Sequence, residues 1–392
     1  MKSIFSGNKS FYVLLGIIFC SSALAFILTY YPEREIDFLR HITFGHNILS
    51  EKTFSKVISN AQFFPLLNLW TGNLVDNFKV TYVFLNRFAF LMYLISILIF
   101  YRIIGFYRNP EDQDSMPLIA LAVLACNPVV IVSASTYGDY IYSLCLVLLS
   151  WFLVLEKYPE IGALVLAIAS GFRITNALWF FPLLILILQD KKYKSALSFS
   201  IISIVCGYLV WLGVLVGHGT LNPLILLTEA RALAGMNISI LEGLKNALSR
   251  GIHFVGIPVI LFCLVLFKQI DFTRWAERIK NRWELFVAFV VIFLAFVKLG
   301  EQQGYIISLV PIIALMLPPF KKTIYSIILC VIIFSMNFVT INFVDNYPSK
   351  VYISHGYWVE SMTCYPKVNG FLKKFRFNYP HKGDYRPVGC SF

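Results

Sequence analysis

Three carboxylates, Glu33, Glu35 and Asp37, alternate along a short stretch just after the first long apolar run. A carboxylate held at a membrane surface can take the proton from an acceptor hydroxyl as that hydroxyl attacks, which is the work of a general base. Helical spacing would put Glu33 and Asp37 on one face, and Glu35 competes for the same role. The ordinary alternative is a solvated loop carboxylate, or a salt bridge from Asp37 to Arg34 or Arg40.

Three further places carry unusual polar chemistry. Asn127-Pro128 is followed by Ser133-Ala134-Ser135-Thr136-Tyr137-Gly138-Asp139. Pro128 bends a helix and frees a backbone carbonyl, while Asp139 either makes a polar contact or favours the dipole of the next helix. Arg173 interrupts a long apolar run at Gly171-Phe172-Arg173-Ile174-Thr175-Asn176. Such an arginine is costly unless it is paired or lines a wet cavity. A phosphate suits its bidentate fork, and snorkelling to headgroups is the plain alternative. Finally Lys298-Leu299-Gly300-Glu301-Gln302-Gln303-Gly304-Tyr305 joins two apolar runs. There Lys298 could hold a phosphate and Glu301 orient an acceptor, or the two could simply pair with each other.

The elements that must position these residues are membrane helices. Of 392 residues, 58% are hydrophobic and only 14% charged, against about 25% charged in soluble domains, and the mean hydropathy is +0.73. The apolar runs are long and continuous, as helices in lipid require, rather than short and alternating as in a membrane barrel. The pattern predicts an all-α polytopic protein with about eleven spans, at 11–30, 82–103, 117–135, 140–155, 160–172, 174–189, 195–217, 252–268, 284–300, 304–320 and 322–344. The fifth and sixth form one interrupted run, which reads as two short broken helices or one longer tilted helix. The first run lacks a small-residue cleavage site and reads as a retained anchor.

Short basic loops set the orientation. Lys191, Lys192 and Lys194 crowd one turn, Lys268, Arg274, Arg278, Lys280 and Arg282 a second, and Lys321 with Lys322 a third. With eleven spans all three fall beside Lys2 and Lys9, which makes that side and the N-terminus cytoplasmic. The loop 31–81, the turn 136–139, Arg173, the loop 218–251, Glu301 and the tail 345–392 then share the outer side. The division is a transmembrane domain, 1–344, and an extracytoplasmic tail, 345–392. In the first outer loop, Gln62-Phe63-Phe64-Pro65-Leu66-Leu67-Asn68-Leu69-Trp70 suits a segment lying in the membrane plane.

Other classes lack support. The net charge of +12 is spread over membrane turns rather than gathered in a domain, so it meets anionic lipid rather than nucleic acid. No phosphate-binding glycine loop and no zinc-protease signature is present. Cys20, Cys126, Cys145, Cys206, Cys263 and Cys330 lie in apolar runs and read as small packing residues. Cys364 and Cys390 lie in the polar tail, where a disulfide suits an oxidising compartment. Asn237-Ile238-Ser239 is a glycosylation sequon, informative in a eukaryotic host.

Taken in order, these pieces resemble the integral-membrane GT-C glycosyltransferases, most of all the GPI mannosyltransferase II (PIG-V) type and its prokaryotic relatives. The resemblance rests on Asp37-Phe38-Leu39-Arg40-His41-Ile42 with Gly45, then Phe63-Phe64-Pro65-Leu66, then Asn127-Pro128 with Tyr137-Gly138-Asp139. It continues through Gly171–Asn176 and Gly304-Tyr305-Ile306-Ile307-Ser308-Leu309-Val310-Pro311, and so covers about residues 10–320. Where the family pattern has Trp, Glu, Arg and a second Pro, this chain has Ile36, Asp139, Gly304 and Asn68.

The resemblance implies transfer of a sugar, mannose in that family, from a polyprenyl-phosphate donor with inversion at the anomeric carbon. It favours Asp37 as the base. Arg173, with Lys298 or Arg87, would hold the donor phosphate. Asp139, Glu301, Glu35, Arg40, His41 and Tyr305 would contact donor or acceptor, the acceptor being a glycan, lipid or protein. The resemblance fixes no cofactor. The carboxylates show no recognisable metal-ligand spacing, and a divalent metal is compatible with the reading. The expected setting is a bacterial or archaeal plasma membrane, or the endoplasmic reticulum of a eukaryote. The rival readings are a transporter or flippase of a lipid-linked glycan, and an inactive assembly subunit with the same fold. A transporter would carry paired mid-membrane charges on repeated halves, which this sequence lacks.

Overall fold

The computed structural model describes residues 9–29, 78–108, 116–135, 137–226, 255–280, 282–299, 307–343 and 351–355, with isolated positions between 241 and 248. Its first elements are α1 (Lys9–Leu28), α2 (Phe78–Tyr107), α3 (Met116–Cys126), α4 (Pro128–Ser135), α5 (Asp139–Leu155) and α6 (Pro159–Phe172). After a 3-10 turn at Ile174–Trp179 come α7 (Phe180–Gln189), α8 (Tyr193–Gly217), α9 (Ile257–Val265), α10 (Phe272–Ile279), α11 (Trp283–Leu299), α12 (Leu309–Met316) and α13 (Thr323–Ser335). A hairpin of β1 (Val339–Phe343) and β2 (Val351–His355) follows.

Three of these helices are long and apolar enough to cross a bilayer on their own, α1, α2 and α8, and the bent pair α3–α4 would make a fourth. The outward faces agree with a lipid surround: Phe19 is 72% exposed and Ile204 65%, which no aqueous surface would favour over so long a stripe. The chain is an α-helical membrane protein. A described helix overlaps each of the eleven expected spans, but α9, α12 and α13 are shorter than the apolar runs that contain them, while α11 matches its run in length. The last expected span, 322–344, is the clearest difference. Its helix stops at Ser335, and Val339–Phe343 pairs antiparallel with Val351–His355, from Val339 opposite His355 to Phe343 opposite Val351. Val-Thr-Ile-Asn-Phe alternates with the period of a strand, a signal hidden by its continuity with the apolar run. The hairpin joins residues on both sides of position 344.

One core runs through the bundle, from Leu14 and Leu85 to Leu144, Trp151, Phe199, Phe296 and Leu329, all essentially without exposure. Small residues let α6 lie close to its neighbours. A Cβ on Gly162 would meet Val154 Cγ2 at 2.9 Å and the Ser150 carbonyl oxygen at 3.2 Å. Ser150 donates across the same contact to the Gly162 carbonyl at 2.7 Å. Small residues at helix crossings are how membrane helices gain van der Waals contact without a hydrophobic driving force.

Both helix interruptions are tied off by side chains. At Asn127 the pair α3–α4 bends by 56°, since Pro128 has no N–H to continue the ladder. Tyr93 donates to the Ala125 carbonyl at 3.0 Å and Asn337 to that of Cys126 at 3.0 Å. Asn127 itself caps α4, its side-chain oxygen accepting from Val129 N at 3.0 Å. At Arg173 the backbone is extended, with φ −148° and ψ 129°, and Asn176 donates to the Ala169 carbonyl at 2.8 Å. The 160–189 run is therefore two broken helices, not one tilted helix. Of the six cysteines in the apolar runs, all free, Cys126, Cys145 and Cys330 are buried, Cys206 and Cys263 half-buried and Cys20 exposed.

Candidate functional site

Asp139 and Arg173 meet. Asp139 opens α5, after Gly138 in an extended conformation, and Arg173 closes α6. Because α5 and α6 run antiparallel side by side, the start of one lies beside the end of the other. Arg173 Nη1 donates to Asp139 Oδ1 at 3.1 Å, and both side chains are buried, 7% and 11% exposed. The Arg173 guanidinium also lies over the Tyr140 ring, 4.2 Å from its centroid. A carboxylate at a helix N-terminus is favoured by the dipole as well. Arg173 is thus enclosed by protein, and the snorkelling reading of it does not hold.

Aromatic rings close the surroundings. Tyr142 stacks on Phe172 at 5.8 Å between centroids, with planes 13° apart, and meets Tyr137 edge-on at 6.0 Å. The approach to Asp139 is fixed from α2. Asn86, fully buried, accepts from Tyr137 N at 2.8 Å and donates to the Thr29 carbonyl at 3.2 Å. One amide therefore joins the end of α1, the start of α2 and the turn that delivers Asp139. Its signal in the sequence was a lone Asn in an apolar helix, beside the more conspicuous Arg87. Tyr140, which faces Arg173, gave no signal beyond its place next to Asp139.

The other expected residues are distributed as follows. Arg87 is exposed and its guanidinium lies 5.7 Å from the Phe26 ring centroid, so it faces the end of α1 rather than the Asp139–Arg173 pair. Lys298 is the penultimate residue of α11. Asp37, Glu35, Arg40, His41, Glu301, Tyr305, Cys364 and Cys390 lie outside the described residues. Among the described residues no group of three or more His, Cys, Asp or Glu side chains is placed to hold a metal ion.

What the arrangement holds is a carboxylate: a guanidinium carries five N–H donors in a planar fork, and Asp139 Oδ1 accepts from Nη1. Low local polarity from the surrounding rings strengthens any such contact. No family model matches the chain, and neither a curated protein nor a solved structure matches it.

Proposed function

We propose that the chain is a GT-C-type glycosyltransferase of about eleven spans, acting at the outer or luminal face of its membrane. It transfers a sugar, mannose by resemblance, from a polyprenyl-phosphate donor to a hydroxyl of a glycan, lipid or protein. The observation that supports this most is the buried Arg173–Asp139 pair at the end of the bundle that the basic loops make external. An ionisable residue inside a membrane protein marks a functional site by default, and in this reading the donor phosphate shares the guanidinium with Asp139 once the side chains that enclose it move aside.

In this reading Asp37 accepts the proton of the acceptor hydroxyl while its oxygen bonds to the anomeric carbon. The bond from that carbon to the phosphate oxygen breaks with inversion, and polyprenyl phosphate leaves. Arg173, with Lys298, stabilises the charge that develops on the phosphate, whereas Arg87 faces the end of α1 and is left out of this role. Asp139 fixes the guanidinium, and Glu301, Glu35, Arg40, His41 and Tyr305 contact donor or acceptor.

The test is sugar transfer in membranes loaded with a radiolabelled polyprenyl-phosphate sugar. Asp37→Asn should lower the rate by about 10²–10⁴-fold, the range for loss of a general base. Unchanged transfer by Asp37→Asn overturns the assignment. Labelled lipid that changes leaflet without being consumed would make the protein a flippase instead.

A further inference from the structure

The end of the bundle opposite Asp139 carries a cleft. On α2, Asn86 and Tyr107 are 21 residues apart, so a straight helix separates them by about 30 Å. Around Tyr107 the cleft opens between the end of α2, the start of α3, the α10–α11 junction and the end of α12. Its floor is the buried core at Ile119 and Leu285, its accessible wall is the half-buried Met116, Pro117, Ile279 and Leu317, and its two charged lining residues are Arg108 and Arg282.

Arg282 is held in place. Its guanidinium lies 4.8 Å from the Tyr107 ring centroid, and Nη2 reaches the Phe106 carbonyl at 3.5 Å. Tyr107 is fixed in turn by Trp151 Nε1, which donates to its hydroxyl at 3.1 Å. The buried carboxylate of Glu284 lies beside Tyr107, Arg282 and Gln189. This is a positioned cation at the rim of an apolar groove.

The two basic loops next to the cleft are joined as one surface. Ile270 bridges Phe320, Asp271 N donates to the Pro319 carbonyl at 2.9 Å, and Lys321 N to that of Gln269 at 2.8 Å. Trp275 of α10 anchors the surface by donating to the Met316 carbonyl at 2.7 Å. That brings Lys268, Arg274, Lys280, Lys321 and Lys322, all exposed, to the side of the cleft. Among the described residues the acidic groups facing them are Asp271, which pairs with Arg274 at 3.4 Å, and the exposed Glu277, so cations outnumber carboxylates on the described surface.

We propose that this cleft binds the headgroup of an anionic phospholipid of the cytoplasmic leaflet. Arg282 and Arg108 take the phosphate, and the first acyl segment lies against the half-buried Met116, Ile279 and Leu317. An apolar wall leading from two arginines at headgroup level matches the two halves of such a lipid, and a soluble anion would use only one of them. The proposal does not depend on glycosyl transfer.

The experiment uses the full-length protein in phosphatidylcholine nanodiscs, titrated with phosphatidylglycerol and read by native mass spectrometry. The expected result is saturable retention of one phosphatidylglycerol. Arg108→Gln with Arg282→Gln should weaken it about 30-fold, the effect of removing two cations near the surface. The exposed Arg108→Gln alone should weaken it by about fivefold and leaves the Tyr107 stack intact. Lys191→Gln with Lys192→Gln, on the same side but outside the cleft, should leave binding unchanged. Equal loss in that control, or undiminished binding in both Arg108 variants, overturns the site. Full displacement of the lipid by millimolar inorganic phosphate would also overturn it, in favour of a free-phosphate site.

Discussion

The Asp139–Arg173 pair lends itself to a double-mutant cycle, with Asp139→Leu, Arg173→Met and the two combined. At 3.1 Å, with 7% and 11% side-chain exposure, the pair is screened little by solvent. Removing one partner of a buried pair strands the other and costs about 3–5 kcal/mol, whereas replacing both by apolar groups is often neutral. The two single changes should not be equal. A stranded carboxylate can escape by taking up a proton, but a guanidinium cannot lose its charge. Asp139→Leu should therefore cost about 4 kcal/mol, Arg173→Met about 2–3, and the double variant about 1 or less. The assay is equilibrium unfolding in mixed micelles, followed by circular dichroism. The coupling is then about 5–6 kcal/mol, roughly a 10⁴-fold effect on the unfolding constant. Additive single effects would refute the pairing. Transfer activity separates structure from chemistry: the double variant should fold yet transfer no sugar, and if it transfers at the normal rate Arg173 has no role with the donor phosphate.

Asn86→Leu should destabilise the protein by about 2–4 kcal/mol, because it strands the Thr29 carbonyl and the Tyr137 N–H, two groups that each cost about 1–3 kcal/mol unpaired; thermal unfolding in detergent checks this. Thr29 and Tyr137 are each 1% exposed, so water cannot replace the amide. Gly256 has φ +91°, and a Cβ there would collide with the methyl of Met336. Gly256→Ala should cost about 1–3 kcal/mol from the dihedral alone, with the collision added. Combining it with Met336→Ala should be less damaging than the sum of the two, and fully additive melting shifts would remove the contact from the account.

Much of the architecture was legible because apolar runs need no partner to be recognised. Met116–Ser135 and Pro159–Gln189 also announced their interruptions, through Pro128 and Arg173, since each residue type has a fixed cost inside a lipid helix. What those interruptions would contact was not legible. Asp139 and Arg173 are 34 positions apart, and only the antiparallel packing of α5 on α6 makes them neighbours. Asn86 was passed over for a related reason. A neutral amide in a thirty-residue helix looks incidental until its two partners arrive, one of them 57 positions away. The end of the last helix was hidden by composition, because Val339–Phe343 is as apolar as the helix before it and only its period differs.

The two interruptions also explain how irregular backbone exists here at membrane depth. In hydrocarbon every unpaired backbone group costs several kcal/mol, so a break persists only where protein supplies the missing partners. The supply is mostly remote: Tyr93 from α2 and Asn337 from beyond α13 serve the Asn127 break, while Asn176 serves the Arg173 break locally. The turn before Asp139 follows the same rule, with Asn86 reaching it from α2. Helix α2 thus touches two of the three irregular places, and its far end carries Tyr107 and the basic cleft. A long regular helix is therefore the common frame for both polar ends of the molecule. Among the described residues, the interruptions at Asn127 and Arg173 and the turn before Asp139 are each braced by a side-chain amide or hydroxyl.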